Sequence, residues 1–267
     1  MPNPQPIVTV ITRTYNSSQL IEASLDSLLA QTIADRCEFL VIDDGSTDNT
    51  VKLLQEAYGD RIRLELRGRL SREFRGPMRN LNFGISVAKG KLVMIHDHDD
   101  ELDPTCIEKL LHGLGAGISI ADEVNRTDHN PPFQYPFFAY CDYRDRFPKN
   151  RGTVEVKTGP TPGLIWNTVV GGILFFRDLL IRLDCYDVNL KFPEYDLLLK
   201  IFASGVSGVH VPEVLWSYHR APGSMTVPEY VKEAIEQLWH KYHLVPPIRS
   251  YALVKPSQEL YRKNRKE

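Results

Sequence analysis

What most restricts this chain is an alternation of two periodicities between Ile7 and Ile95. Ile7–Thr12 (IVTVIT), Glu38–Ile42 (EFLVI), Ile62–Leu66 and Lys91–Ile95 are short apolar runs that read as strands. Between the first two, Leu20, Ile21, Leu25, Leu28 and Leu29 recur at helical spacing, with Ser17 or Ser18 placed to cap the helix. A second helix is expected over about Asp48–Tyr58. A third is expected over Asn80–Ala88, opened by Gly76-Pro77 with proline at its first position. Strands that alternate with helices form a parallel sheet with helices on its faces. None of these strands runs into GxGxxG, which argues against a dinucleotide site of the Rossmann kind.

Lys91–Ile95 delivers the chain to His96, Asp97, His98, Asp99 and Asp100, five ionisable side chains in succession. In an extended backbone residues two apart share a face, so Asp97 and Asp99 are expected to point together. Facing carboxylates repel unless a cation lies between them, and Mg²⁺ or Mn²⁺ prefers oxygen ligands. Strand ends of an open α/β sheet are also where ligands bind, so Asp-x-Asp there suits a metal that grips a diphosphate. The same residues also read as a solvated acidic loop, with Asp103 capping a helix that begins at Pro104. Upstream, Arg67, Arg69, Arg72, Arg75 and Arg79 punctuate the approach to the third helix. Arg79 falls in the first turn expected for that helix, where the dipole disfavours a cation; a bound phosphate would remove the conflict.

Beyond a helix expected at Pro104–Leu111 the pattern loosens. Gly113–Pro136 is a long excursion rich in Gly, Asn and Pro, Phe137–Asp142 a strand, Lys149–Pro162 a loop or hairpin, and Val169–Phe176 a strand or buried segment. Helices are expected at Arg177–Leu183 and Glu194–Ala203, a last strand at Val209–Tyr218, and a helix from Pro228 to about Tyr242. The net charge of −2 offers no bulk attraction to nucleic acid. Cys37, Cys106, Cys141 and Cys185 are widely spaced without CxxC, which suits reduced thiols in a cytoplasmic protein better than disulfides or zinc. MPNPQPIV has neither the charged nor the apolar region of a signal peptide. No apolar stretch approaches the ~20 residues of a membrane helix.

In order, these segments resemble the family 2 glycosyltransferases of the GT-A fold from about Ile7 to Thr226. VTVITRTYN and EFLVIDDGSTDNT resemble that family's opening, and GPMRNLNFGISVAKGKLVMIHDHDD its Arg-Asn helix and Asp-x-Asp-Asp segment. YCD, GGILFFRDLLIRLDCYD and PEYDLLLK follow in the family's order. The fold so implied is α/β of GT-A type, a mostly parallel sheet flanked by helices, with a nucleotide-binding half and a mixed acceptor half. Residues 1–226 would form the transferase domain, 7–112 for the nucleotide sugar and 113–226 for the acceptor, with 227–267 a helical and basic tail.

The resemblance implies inverting transfer of a hexosyl or related group from a nucleotide-diphosphate sugar, a UDP-sugar favoured. The acceptor would be a hydroxyl on a glycan, a lipid-linked or a small-molecule substrate, and Mn²⁺ or Mg²⁺ would assist. Thr14, Tyr15 and Asp44 would line the base pocket, with Arg79 at the diphosphate or base and Asp97 at the ribose or sugar. Asp97, Asp99, Asp100 and His219 would supply metal ligands, and Asp142 would touch the donor sugar or the acceptor. Glu194 stands where the family has its catalytic Asp, with Asp196 as the competing base. Two residues apart is about 200° around a helix, so both cannot face one hydroxyl.

The chain departs from the family at Arg13 (usually Pro), at His96 and His98, at Pro193-Glu194, at Lys200 (usually Arg), and in SYHRAPGS, where His219 and Arg220 are shifted. The QxxRW motif of processive members is absent, which implies one sugar per encounter. The departures leave a non-catalytic nucleotide- or glycan-binding protein on the same fold as the alternative. A sugar nucleotidyltransferase fits less well, since TRTYNSS lacks the glycine-rich loop expected after its first strand. The basic tail, with Arg262, Lys263, Arg265 and Lys266, suits peripheral contact with anionic lipid at the inner face of a membrane.

Overall fold

A computed structural model describes residues 5–67, 75–115, 138–146, 153–156, 171–219 and 228–242. Arg69, Arg72, Arg220, the basic tail, and most of Gly113–Pro136 and Lys149–Val170 lie outside the described residues. In chain order the elements are β1 (Val8–Thr14), α1 (Ile21–Leu29), β2 (Cys37–Asp43), α2 (Thr50–Leu53), β3 (Arg63–Leu66), α3 (Arg75–Val87), β4 (Leu92–Asp97) and β5 (Glu101–Leu102). There follow α4 (Cys106–Gly115), β6 (Phe138–Arg146), β7 (Thr153–Val156), β8 (Ile173–Phe176), α5 (Arg177–Arg182), α6 (Pro193–Ala203), β9 (Gly208–His219) and α7 (Pro228–Tyr242).

One mixed sheet runs in the order β3-β2-β1-β4-β8-β6-β9-β5, with β7 paired to β6. Its first half is parallel: β1 lies between β2 and β4, and β3 flanks β2. In its second half β8 is antiparallel to both β4 and β6, while β9 runs parallel to β6. Alternation along β1 assigns its side chains to two layers. Val8 and Val10 join a core with Ile21, Leu25 and Leu28 of α1 and Leu110 of α4. Ile11 joins the opposite core with Leu81 and Ile85 of α3, Leu180 of α5 and Leu197 of α6. No helix among the described residues is long and apolar enough to cross a membrane.

Several element ends differ from expectation. The backbone does not stay extended past Asp97: the Asp100 N–H donates to the Asp97 carbonyl at 3.2 Å, closing a turn over His98 and Asp99. That turn, rather than strand alternation, keeps Asp97 and Asp99 in electrostatic reach of each other. Neither Ser17 nor Ser18 caps α1 with its side chain. Instead the Ser17 carbonyl accepts the Leu20 and Ile21 N–H groups at 2.9 and 3.0 Å, and the Ser18 hydroxyl donates to Asp48. Helix α3 starts at Arg75, so Pro77 is its third residue rather than its first. The proline still costs no hydrogen bond, because N–H groups of a first turn have no helical partner. Arg79 consequently lies past that turn, where its conflict with the dipole is weaker.

Gly90 fixes how β4 begins. Its N–H donates to Thr9 Oγ1 at 2.8 Å, and a Cβ there would sit 2.5 Å from the Thr9 nitrogen and 2.7 Å from the Val8 carbonyl carbon. Those are backbone atoms of a central strand and cannot swing aside. Gly90→Ala is expected to cost ~1–3 kcal/mol, the range for overpacking. The loss would be read as a lower urea midpoint at unchanged slope.

Candidate functional site

β1 and β2 end level, Thr14 opposite Asp43, and the loops beyond them are laced together. Asn16 sits in the left-handed region at φ 48°, which asparagine tolerates better than most residues. Its N–H donates to Ser46 Oγ at 2.9 Å and its side chain accepts the Thr47 N–H at 2.8 Å. The Ser17 N–H reaches Thr50 Oγ1 at 2.9 Å. Desolvation works against the charge of Asp48, but hydrogen bonds from Thr50 and Ser18 outweigh it and hold that carboxyl down to about 2. Asp43 folds back on its own loop and accepts the N–H groups of Gly45 and Ser46 at 3.0 and 2.9 Å. Asp44 is buried: its N–H donates to the Thr14 carbonyl at 2.9 Å, and its carboxylate accepts from Asn80 Nδ2 at 2.5 Å. Thr14, with its hydroxyl on that of Ser17, is buried too, and Tyr15 follows half-buried. The expected base-pocket residues thus share one shelf, while Arg79 is exposed on α3.

β4 ends one strand over, with Asp97 in register with Arg13. The turn after it is closed from below by the far side of the sheet. Glu101 and Leu102 pair with Ser217 and Trp216 of β9, which brings the last residues of β9 against Asp100. The Trp216 indole N–H and the His219 backbone N–H donate to the two oxygens of Asp100, each at 2.9 Å. Burial pushes the Asp100 carboxyl up to about 9; the charges of Asp97 and Asp99 push the same way, and the two donors oppose them. Asp99 is raised by desolvation and by Asp97, against His98 and His219. The His219 ring sits 3.4 Å from Glu101, which also faces Arg146 at 3.7 Å. His96 points to the other layer, where its ring meets Trp216 edge-on at 5.2 Å and burial lowers it to about 4.

Among the described residues no three His, Cys, Asp or Glu side chains are grouped to hold a metal ion by themselves. Asp97 and Asp99 are half-buried and keep solvent access, whereas Asp100 is buried with both oxygens engaged. The mutual repulsion on this turn is of the kind a divalent cation relieves.

Glu194 and Asp196 part ways on α6 as helical geometry requires. Glu194 reaches solvent, yet enough protein surrounds its carboxyl to desolvate it and raise it; Asp97 adds to the rise and Arg13 opposes it. The group therefore lies within electrostatic reach of the acidic turn. Asp196 is fully buried on the other side. Its Oδ1 accepts from the Tyr242 hydroxyl and faces the Lys241 ammonium, each at 2.7 Å, while its Oδ2 lies 3.2 Å from Lys200. Asp142 is likewise enclosed, 2.8 Å from His210, whose ring stacks on Tyr140 at 5.2 Å.

Sequence reasoning did not single out Trp216, Asn80, Asn82 or Tyr186. Asn82 clasps the Tyr186 backbone through both amide atoms, at 2.8 and 3.0 Å, and so ties α3 to the loop before α6. Tyr186, buried there, feels the charges of Glu194, Asp97 and Arg13, and its hydroxyl is raised mainly by burial. Only the sheet's long-range pairing makes these residues neighbours, and no local spacing announces it. Asp196→Ala would take a carboxylate from the partly exposed Lys200 and Lys241 and the acceptor from the Tyr242 hydroxyl. A loss of roughly 1.5–3 kcal/mol in urea-unfolding free energy is expected, the range for hydrogen bonds to a charged group.

Residues 9–155 match the family model described as Glycosyl transferase family 2. Over 238 residues the chain is 29% identical to an uncharacterised glycosyltransferase of Rickettsia prowazekii, covering 88% of this chain and 70% of that one. It is 34% identical over 109 residues to hyaluronan synthase of Pasteurella multocida, 41% of this chain but only 11% of that protein. Among solved structures, S. aureus TarS 1–349 in complex with UDP-GlcNAc superposes with a TM-score of 0.65 at 19% identity, covering 87% of this chain and 66% of that one. The mannosyltransferase PcManGT from Pyrobaculum calidifontis, in complex with GDP-Man and Mn²⁺, gives 0.59 at 20% identity, covering 91% and 66%. At these identities the structural likeness speaks for the fold, which is of GT-A type. With the family model matched over more than half its length, the chain belongs to glycosyl transferase family 2.

Proposed function

We propose that this glycosyltransferase moves one sugar per encounter from a nucleoside-diphosphate sugar to an acceptor hydroxyl, with inversion at the anomeric carbon. The observation that carries the reading is the placement of Glu194. It is an open carboxylate at the start of α6, looking across the strand ends toward the acidic turn at Asp97. The nucleotide would rest on the shelf after β1 and β2, with Asp44, held by Asn80, accepting from the base. UDP is favoured, since TarS was solved with UDP-GlcNAc and with UDP; GDP, as in the mannosyltransferase complex, is the competing choice.

Asp97 and Asp99 fit a Mn²⁺ or Mg²⁺ ion that takes its remaining oxygens from the donor's phosphates, since such ions commonly bind through one or two carboxylates plus substrate phosphate. When bound, the ion would neutralise charge on the departing diphosphate. Asp100 braces the turn instead, because both its oxygens already accept hydrogen bonds. Glu194 would accept the proton of the acceptor hydroxyl as that oxygen attacks. The burial of Asp196 among Lys200, Lys241 and Tyr242 favours Glu194 over it in this role. The free cysteines support a reducing, cytoplasmic setting.

Titration calorimetry with UDP is expected to show binding that strengthens with Mn²⁺ and loses that dependence in Asp99→Ala. Absence of binding to UDP, GDP and TDP with or without metal would remove the donor site. Glu194→Gln is expected to lower turnover by ~10²–10⁴, with donor affinity barely changed. An active Glu194→Gln beside an inactive, folded Asp196→Asn would reassign the base. The base must be ionised, and its carboxyl is raised above the ordinary 4.5 of glutamate. Turnover should therefore fall as pH drops through a limb above that value, and Glu194→Gln should abolish that limb.

A further inference from the structure

Arg13 is a cation at this site with nothing to hold. It is half-buried near the end of β1, level with Asp97 on the neighbouring strand. Parallel register and alternation place both on the sheet face that carries Ile11, toward α3 and α6. Its charge reaches Glu194 and Tyr186, opposing the upward shift of each. Yet among the described residues its side chain makes no hydrogen bond, ion pair or ring contact. Other half-buried arginines find carboxylates: Arg63 pairs with Glu65 and Glu38, and Arg146 with Glu101.

A guanidinium offers five N–H donors in a planar fork and cannot shed its charge. Arg13, half-buried and without a side-chain partner, leaves its nitrogens to solvent, where a ligand can supply the acceptors. Neutralising the acidic turn does not explain it, because an arginine placed for that purpose would pair with Asp97 or Glu194, and it pairs with neither. Phosphate and carboxylate are the groups that fit the fork with two parallel hydrogen bonds.

We propose that Arg13 docks an oxyanion carried by the donor, either the phosphate that leaves with the nucleotide or a carboxylate on the transferred sugar. This rests on the donor-site reading above and narrows it. With Asp97 beside it and Glu194 within electrostatic reach, Arg13 sits where the sugar and its leaving phosphate must pass. There its fork would orient the donor as well as attract it.

The test is titration calorimetry in the presence of Mn²⁺ with UDP, UDP-glucose and UDP-glucuronate, on wild-type protein, Arg13→Met and Arg13→Lys, alongside thermal melts without ligand. Arg13→Met is expected to weaken binding about ten- to a hundredfold, as for loss of a charge-assisted hydrogen bond. Arg13→Lys should fall between, keeping the charge but losing the fork. Equal losses on all three ligands identify the phosphate as the docked group; a loss confined to UDP-glucuronate identifies the sugar carboxylate. The ligand-free Arg13→Met protein is expected to melt close to wild type, since no side-chain hydrogen bond or ion pair is removed. Unchanged affinities for all three, or a markedly lowered melting temperature, would overturn the proposal. A wild-type protein that binds none of UDP, GDP or TDP instead removes the donor site, and this proposal with it.

Discussion

Parallel pairing of β1 with both β2 and β4 brings three strand ends, and the carboxylates that follow them, to one edge of the sheet. Like charges so gathered repel, and each must find donors within the fold or be left for a ligand to satisfy. The chain does both, residue by residue. Asp43 takes the N–H groups of its own loop, Asp44 the amide of Asn80, and Asp100 the Trp216 and His219 donors. Asp97, Asp99 and Glu194 are left with solvent access. At the opposite end of the same strands the treatment differs. The buried Glu38 accepts from Thr9 at 2.7 Å, from the Lys89 N–H at 2.8 Å and from Arg63 at 3.2 Å. A carboxylate so fully served has nothing to offer a substrate, and that end of the sheet reads as structure.

The braced and the open carboxylates are mechanically connected. Asp100 is held by β9, a strand from the sheet's far half, and Trp216 also packs edge-on against His96, the residue before Asp97. His96 is kept neutral by burial and lies near Thr12 and Ser24, at 3.4 and 3.5 Å. The acidic turn is therefore gripped on both flanks by groups with no charge to spare. Rigidity of this kind matters most where charges repel, because a loose turn would relax by swinging its carboxylates apart.

Legibility in the sequence followed the range of the interactions. The parallel half was plain in Ile7–Ile95 because short apolar runs and helical spacings are local signals, and the burial of Ile21, Leu25 and Leu28 follows from them directly. The turn after Asp97 was not, because a single hydrogen bond from the Asp100 N–H overrides the extended geometry that strand spacing suggests. Nor was the brace on Asp100, which depends on a pairing between Glu101 and Ser217 across more than a hundred residues. Asp142 shows the converse. In the sequence it closes an apolar run as Asp97 does, but β6 continues past it to Arg146 and His210 encloses it. Carboxylates after apolar runs look alike in sequence, and only their partners separate the braced from the open.

Glu194 and Asp196 differ in the same way, because the fold sets the rotation of α6 about its own axis. Asp196 is locked inward by Lys200 from its own helix and by Lys241 and Tyr242 from α7. Lys241 also holds Asp187 at 2.9 Å, and Gln237 accepts the Lys191 N–H at 2.8 Å, so α7 grips the loop before α6 as well as the helix itself. A rotation that took these partners from the buried Asp196 would leave its carboxylate unmatched, which is costly. With Asp196 fixed inward, a residue two positions earlier lies about 200° around the helix and faces outward, as the exposed Glu194 does. Glu194 therefore owes its direction to a charge cluster it never touches.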